Sequence, residues 1–207
     1  MIPLIFLTIL AYLLGSISGS MLMGKLNNVD IRKMGSGNAG GTNAFRTQGI
    51  FFALPVVLID IGKGFIAAEY FHSINFVNTN TMIESSHLFF GSAAVIGHCY
   101  PIFHNFKGGK GAGTAMGVLI SVFPNTLFPA LIVWILSLIF TGFVGLSTIL
   151  ASITVSIISI YTFPLINNIQ IMCFFISLLI IFMHRSNITR MIKGKENQFK
   201  KIMIFKK

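Results

Sequence analysis

The 207-residue chain is 54% hydrophobic and only 10% charged, where a soluble domain carries about 25% charged residues. So few charges cannot cover a water-facing surface, which excludes a soluble enzyme fold as the whole answer and equally excludes a disordered chain. The balance of 15 Lys plus Arg against 5 Asp plus Glu is strongly basic, and in a membrane protein such an excess orients loops and attracts anionic lipids or substrates.

About 20 apolar residues suffice to cross the hydrocarbon core as a helix, so the long apolar runs predict transmembrane helices. The first, residues 2–26, has no basic residue ahead of it and no small-residue cleavage site, and reads as a retained helix. A polar stretch over 27–48 precedes a second span from Ile50 to about Phe71. A connection without Lys or Arg, 72–86, leads to a third span over 87–103 and then to a basic, glycine-rich loop at 107–113. Apolar runs follow at 114–140, 144–163 and 169–183, and a basic tail begins at His184. Cys99 and Cys173, far apart in apolar surroundings, read as buried free thiols.

Lys and Arg of short loops gather on the cytoplasmic side. Here they fall at Lys25, Arg32, Lys33 and Arg46, at Lys107 and Lys110, and from Arg185 onward, so all three groups are expected there. A single helix over 114–140 would send the tail to the other side. Pro124 and Asn125 divide that run, and two short helices restore the sign. The expected architecture is an all-α, polytopic integral membrane protein, one transmembrane domain over 1–207. It has about seven helices, the amino terminus outside and the carboxyl terminus cytoplasmic.

Lipid-facing Leu, Ile and Phe do no chemistry, which leaves three polar segments. In the first, Gly35, Gly37, Gly40 and Gly41 alternate with donors at Ser36, Asn38, Thr42 and Asn43, and Arg46 adds a guanidinium fork suited to phosphate. The second runs from His98 through Lys107-Gly108-Gly109-Lys110-Gly111 into a helix start, an anion site of the same physical type as a P-loop. It is not one, because Gly111 stands where the Walker pattern needs Ser or Thr. The third joins His184, Asn187 and Glu196 at the end of the last span, where a basic helix anchor is the plainer alternative. Asp60 and Lys63, three apart within the second span, are costly in lipid and are expected to pair with each other or to line the substrate site.

Together these segments resemble the bacterial acyl-phosphate:glycerol-3-phosphate acyltransferase family, PlsY. The resemblance lies in Gly35 to Arg46, Gly97 to Gly111 and His184 to Glu196, flanked by Asp60-Ile61-Gly62-Lys63-Gly64 and Gly15-Ser16-Ile17. It implies transfer of a fatty acyl group from acyl phosphate to the 1-hydroxyl of glycerol 3-phosphate, giving lysophosphatidic acid and phosphate, the first step of phospholipid synthesis. It also implies no cofactor, no metal, no nucleic acid and no obligate protein partner. The implied place is the bacterial inner (cytoplasmic) membrane, with the active site on the cytoplasmic face. Carried over by motif, Ser36, Arg46, Lys110, His184, Asn187 and Glu196 are catalytic; Asn38, Gly41, Thr42, Asn43, His98, Gly108, Gly109 and Gly111 bind substrate. The proton acceptor stays open among His98, His184 and a substrate phosphate.

Several positions depart from the family pattern. Gly41 replaces Ala, Ala112-Gly113 replaces Val-Ala, and Ser18 replaces a Pro, which implies a lost kink. Gly145 stands where relatives carry Ser, and Ser147 is a candidate substitute. A rival reading, a transporter for an organic phosphate, would place polar groups at mid-bilayer and repeat itself in two halves, and neither feature is present.

Overall fold

The computed structural model of the chain describes residues 2–73, 80–200 and 202–204, and every regular element among them is helical. Of the connection expected over 72–86, residues 74–79 lie outside the described residues; 72–73 end α4 and 80–86 begin α5, so the third helix covers Asn80–Cys99 and not the expected 87–103. Contacts divide the chain into two compact units, Met1–Val122 and Phe123–Lys207.

The first unit holds α1 (Ile2–Gly15), α2 (Gly19–Leu26), α3 (Gly41–Gln48), α4 (Ile50–Ser73), α5 (Asn80–Cys99) and α6 (Ala112–Val122). The first apolar run is thus not one helix. It breaks over 16–18, and its two parts differ in direction by 43°. Within lipid a broken backbone must find partners inside the protein, and three of the freed groups here find one. Ser18 caps α2 by accepting from Met21 N at 3.4 Å, Lys63 Nζ donates to the Ile17 carbonyl at 2.6 Å, and Gly19 N–H donates to Asp60 Oδ1 at 3.4 Å. The kink therefore survives without proline, held by an N-cap and a buried ion pair.

Helix α4 packs against α1, α2, α3, α5 and α6. Small residues allow the backbones to approach: a Cβ on Gly64 would strike the Thr114 carbonyl, one on Gly117 the Ile61 carbonyl, and one on Gly97 the Tyr12 carbonyl. An apolar cluster of Ile31, Ala44, Phe52, Ala53 and Val56 anchors α3 and the turn before it on α4. That anchoring matters for function, because the first glycine-rich loop lies between those two elements.

The second unit holds α7 (Leu127–Thr141), α8 (Val144–Thr162), α9 (Asn168–Met183) and α10 (Arg185–Ile192). The division of 114–140 expected from Pro124 is present: α6 ends at Val122 and a short 3₁₀ turn, Pro124–Thr126, leads into α7. Gly142 ends α7 in the left-handed conformation (φ 71°). Helices α8 and α9 meet along hydroxyls, with Ser156 donating to Ser177 Oγ at 2.8 Å and Ser177 to the Ser152 carbonyl at 2.6 Å. Cys99 and Cys173 are buried and unbridged, in agreement with their surroundings.

Large apolar side chains face outward on these helices, among them Phe51, Phe128 and Leu178, as a lipid-exposed surface requires. Among the described residues three helices are long and apolar enough to cross a bilayer, and up to five if each of two bent pairs, α1 with α2 and α9 with α10, is one span. Helix α6 has 11 residues. At 1.5 Å per residue it reaches about 16 Å, roughly half of the hydrocarbon core.

Candidate active site

The first glycine-rich loop is moulded by Asn43. This side chain, 2% exposed, donates through Nδ2 to the carbonyls of Ile31 (3.1 Å) and Met34 (3.0 Å), and its Oδ1 accepts from Ser36 N–H at 2.9 Å. Gly35 and Gly37 have φ of 55° and 72°, a region that other residues enter at a cost, and a Cβ on Gly35 would strike Asn43 Oδ1. Asn43 thus shapes the loop from within, while Ser36 and Thr42 are exposed and Asn38 and Arg46 half-buried. Gly41 lets α3 sit against Val57, since a Cβ there would strike that side chain. Ahead of the loop, Asp30 caps a 3₁₀ turn and grips the Arg32 guanidinium at 3.1 and 3.2 Å. Its hydrogen bond from Arg32 holds the Asp30 carboxyl below the ordinary carboxylate range.

The second loop folds back onto the end of α5. Gly108 N–H donates to the Cys99 carbonyl at 3.2 Å and Gly109 N–H to the His98 carbonyl at 3.0 Å, satisfying two carbonyls that the helix end would leave orphaned. These amides, and those of Ser36 and Gly37, are therefore spent inside the loops. The expectation that the Gly108 and Gly109 amides cradle phosphate is corrected accordingly, since both hydrogens point at the end of α5. Asn105 and Phe106 take left-handed φ values of 53° and 56°, and Gly111, at 88°, leads into α6. Lys110 between them is half-buried. Burial, then the nearby Arg32 and Lys63 charges, depress the His104 imidazole below its ordinary value, so it adds no positive charge here at neutral pH.

The two loops share one cleft of about 450 Å³, lined by Arg32, Gly37, Asn105, Lys107 and Gly108. Of the expected substrate-binding residues Gly108 lines it, and the structure adds Arg32, Asn105 and Lys107, of which Arg32 and Lys107 are also topology-setting charges. Beneath the second loop lies His98, which is 5% exposed. Its Nδ1 is 2.9 Å from Lys63 Nζ and 3.4 Å from Asp60 Oδ1, and the Lys63–Asp60 pair itself closes at 3.0 Å. The ring's Nε2 edge occupies the space that a Cβ on Gly109 would need. His98, expected to bind substrate, is thus packed under the loop.

In the second unit His184 lies between α9 and α10, buried, with Nδ1 2.8 Å from the Ile180 carbonyl. A carbonyl only accepts, so Nδ1 carries a hydrogen toward it. Gly194 (φ 63°) turns the chain after α10 and brings Glu196 back along the helix. There Glu196 accepts from Asn187 Nδ2 at 2.8 Å and from Arg190 Nε at 2.7 Å.

Asn187 also explains Gly145. A Cβ at 145 would lie 2.9 Å from Asn187 Nδ2 and 3.0 Å from its Cβ and Cγ, so the missing side chain is the space Asn187 fills. Ser147 does not replace a lost hydroxyl, because it is buried and donates to the Phe143 carbonyl at 3.0 Å. Gly145→Ala is expected to push Asn187 off Glu196 and lower turnover by roughly tenfold, since displacements of this size matter for positioned groups. Steady-state kinetics check this, and an unchanged rate would mean that Asn187 gives way without consequence.

Fold and site define a class: an all-helical membrane protein with a cationic, glycine-lined cleft of the size that takes a small polar ligand. The glycerol-3-phosphate acyltransferase family model matches residues 5–194. A glycerol-3-phosphate acyltransferase of Aquifex aeolicus (strain VF5) is 38% identical over 196 residues, covering 94% of this chain and 98% of that protein. One of Macrococcus caseolyticus (strain JCSC5402) is 41% identical over 198 residues, with 94% and 97% covered. Crystal structures of PlsY (YgiH), an integral membrane glycerol 3-phosphate acyltransferase, superpose with TM-scores of 0.84 (glycerol 3-phosphate form) and 0.82 (lysophosphatidic acid form), at 37% identity and 95% coverage of both chains. The chain belongs to the glycerol-3-phosphate acyltransferase family.

Proposed function

We propose that the chain transfers a fatty acyl group from acyl phosphate to the 1-hydroxyl of glycerol 3-phosphate. The carbonyl carbon loses its bond to the phosphate oxygen and gains one to the glycerol oxygen. Phosphate leaves with the electron pair and ends with the hydroxyl proton. Family membership supports the acceptor and product, since the similar PlsY structures are of glycerol 3-phosphate and lysophosphatidic acid forms. The observation that carries the reading is the cleft shared by two cationic, glycine-rich loops, with Arg32 and Lys107 on its wall.

An acyl phosphate is already activated, so alignment and stabilisation of developing charge account for most of the catalysis. In this reading Lys110 stabilises the departing phosphate, Arg46 holds the acceptor phosphate, and Ser36, Asn38 and Thr42 supply donors around them. Asn43 shapes the first loop; Gly41 leaves room for Val57, Gly109 for the His98 ring, and Gly111 turns the second loop into α6. His184 and Asn187 belong to the catalytic set in this reading, and Glu196 fixes Asn187. No strand-turn-helix nucleophile elbow accompanies Ser36, so transfer is direct. The chain crosses the bacterial cytoplasmic membrane about seven times, amino terminus outside and site cytoplasmic, where the positive loops collect.

The test is purified protein in detergent with palmitoyl phosphate and glycerol 3-phosphate. Lysophosphatidic acid without a sealed compartment is expected. Phosphate uptake that needs vesicles and yields no product would favour a transporter, and radiolabelled acyl trapped on Ser36 would overturn direct transfer.

A further inference from the structure

Three buried polar residues, Asp60, Lys63 and His98, are absent from the chemistry above or have been moved out of it. Lipid-embedded charges need partners, but pairing alone does not account for this arrangement. An ammonium has three hydrogens, and Lys63 Nζ has three acceptors around it: the Ile17 carbonyl at 2.6 Å, His98 Nδ1 at 2.9 Å and Asp60 Oδ1 at 3.0 Å. With the ammonium at 2.9 Å and Asp60 Oδ1 farther, at 3.4 Å, Nδ1 accepts, the ring's hydrogen stands on Nε2 and the ring plane is fixed. That edge of the ring then lies against Gly109, while the carbonyls of His98 and Cys99 hold the amides of Gly109 and Gly108. The next residue is Lys110. Beyond it, α6 begins against the same carboxylate side chain, since a Cβ on Gly113 would lie 3.3 Å from Asp60 Cβ. Both ends of the loop that carries Lys110 are thus registered on one buried cluster.

We infer that Asp60, Lys63 and His98 are positioning residues for the transfer, setting the Gly108–Gly111 loop so that Lys110 meets charge developing on the departing phosphate. None of the three touches substrate. The inference rests on the role given to Lys110 above. A misplaced loop loses an interaction made only in the transition state, so kcat falls while both KM values hold.

The experiment compares the full-length wild type with Lys63→Met, His98→Gln, His98→Asn and the doubly neutral Asp60→Asn/Lys63→Met, each in detergent with palmitoyl phosphate and glycerol 3-phosphate. Lys63→Met and His98→Gln are expected to lower kcat about 30-fold or more per folded molecule, with KM changes under about threefold. Asn can place its amide oxygen where Nδ1 was and Gln cannot, so His98→Asn should stay within about fivefold of wild type. The double variant carries no charge into the membrane and should melt at or above the wild-type temperature, yet remain slow. Wild-type kcat in the double variant would mean that the pair only neutralises itself, and equal rates for His98→Asn and His98→Gln would remove the ring's orienting role; either result overturns the inference. A wild type that makes no product would instead overturn the proposed reaction, and this role with it.

Discussion

Lys110→Ala is expected to lower turnover by roughly 10³-fold, about 4 kcal/mol of transition-state stabilisation, while leaving insertion and folding intact. The size follows from what remains around the phosphates. The amides of Ser36, Gly37, Gly108 and Gly109 are committed within their own loops, so an anionic leaving group depends on cationic side chains more than the glycine pattern suggests. Lys110 also lies in the loop ahead of α6 and not within a helix, so its replacement removes no helical turn. Lys110→Arg keeps the charge on a longer, planar group and should recover only part of the rate. The measurement is kcat in detergent together with gel-filtration profile and thermal unfolding. A Lys110→Ala protein with normal kcat would remove this residue from the site.

Glu196→Ala is expected to cost roughly 10²-fold in kcat and several degrees in melting temperature. The carboxylate's side chain is only 3% exposed and uses both oxygens, one for Asn187 and one for Arg190, so alanine leaves a buried amide without its anchor. Arg190 is 33% exposed, and water compensates part of its loss. The rate should therefore fall through Asn187 more than through the arginine. Glu196→Gln, which keeps an acceptor for Asn187 but no charge for Arg190, should lie between wild type and Glu196→Ala. Kinetics beside detergent melting curves separate the two contributions, and an unimpaired Glu196→Ala rate would show that Asn187 needs no such support.

Much of the helical layout is legible in linear order because hydropathy is a local property. The division at Pro124 follows from a residue that cannot donate in a helix interior, and the ends of α8 and α9 follow the apolar runs closely. The break at 16–18 is different. Ser18 in place of proline implies a straight helix, and the partners that stabilise the kink, Asp60 and Lys63, lie more than 40 residues away. The same holds for His98 and Asn43. Each reads as a ligand because a donor beside glycines in a basic loop suits an anion, yet Asn43 is turned inward to hold backbone and His98 to meet Lys63 and Asp60. Sequence lists which groups a residue offers, but not which of them the chain uses on itself.

By itself the sequence determined that this is a helical membrane protein and singled out three basic, polar segments, because charge scarcity, span length and the spacing of glycines with cations are written residue by residue. Only the tertiary structure decided that the Ser36, Gly37, Gly108 and Gly109 amides are already spent, that Arg32 and Lys107 line the cleft, that a buried Asp60–Lys63–His98 cluster underlies Lys110, and that Gly145 is space for Asn187. Those facts depend on which hydrogen bonds close between distant residues and which volumes are already filled, and neither is a property of any local stretch of chain.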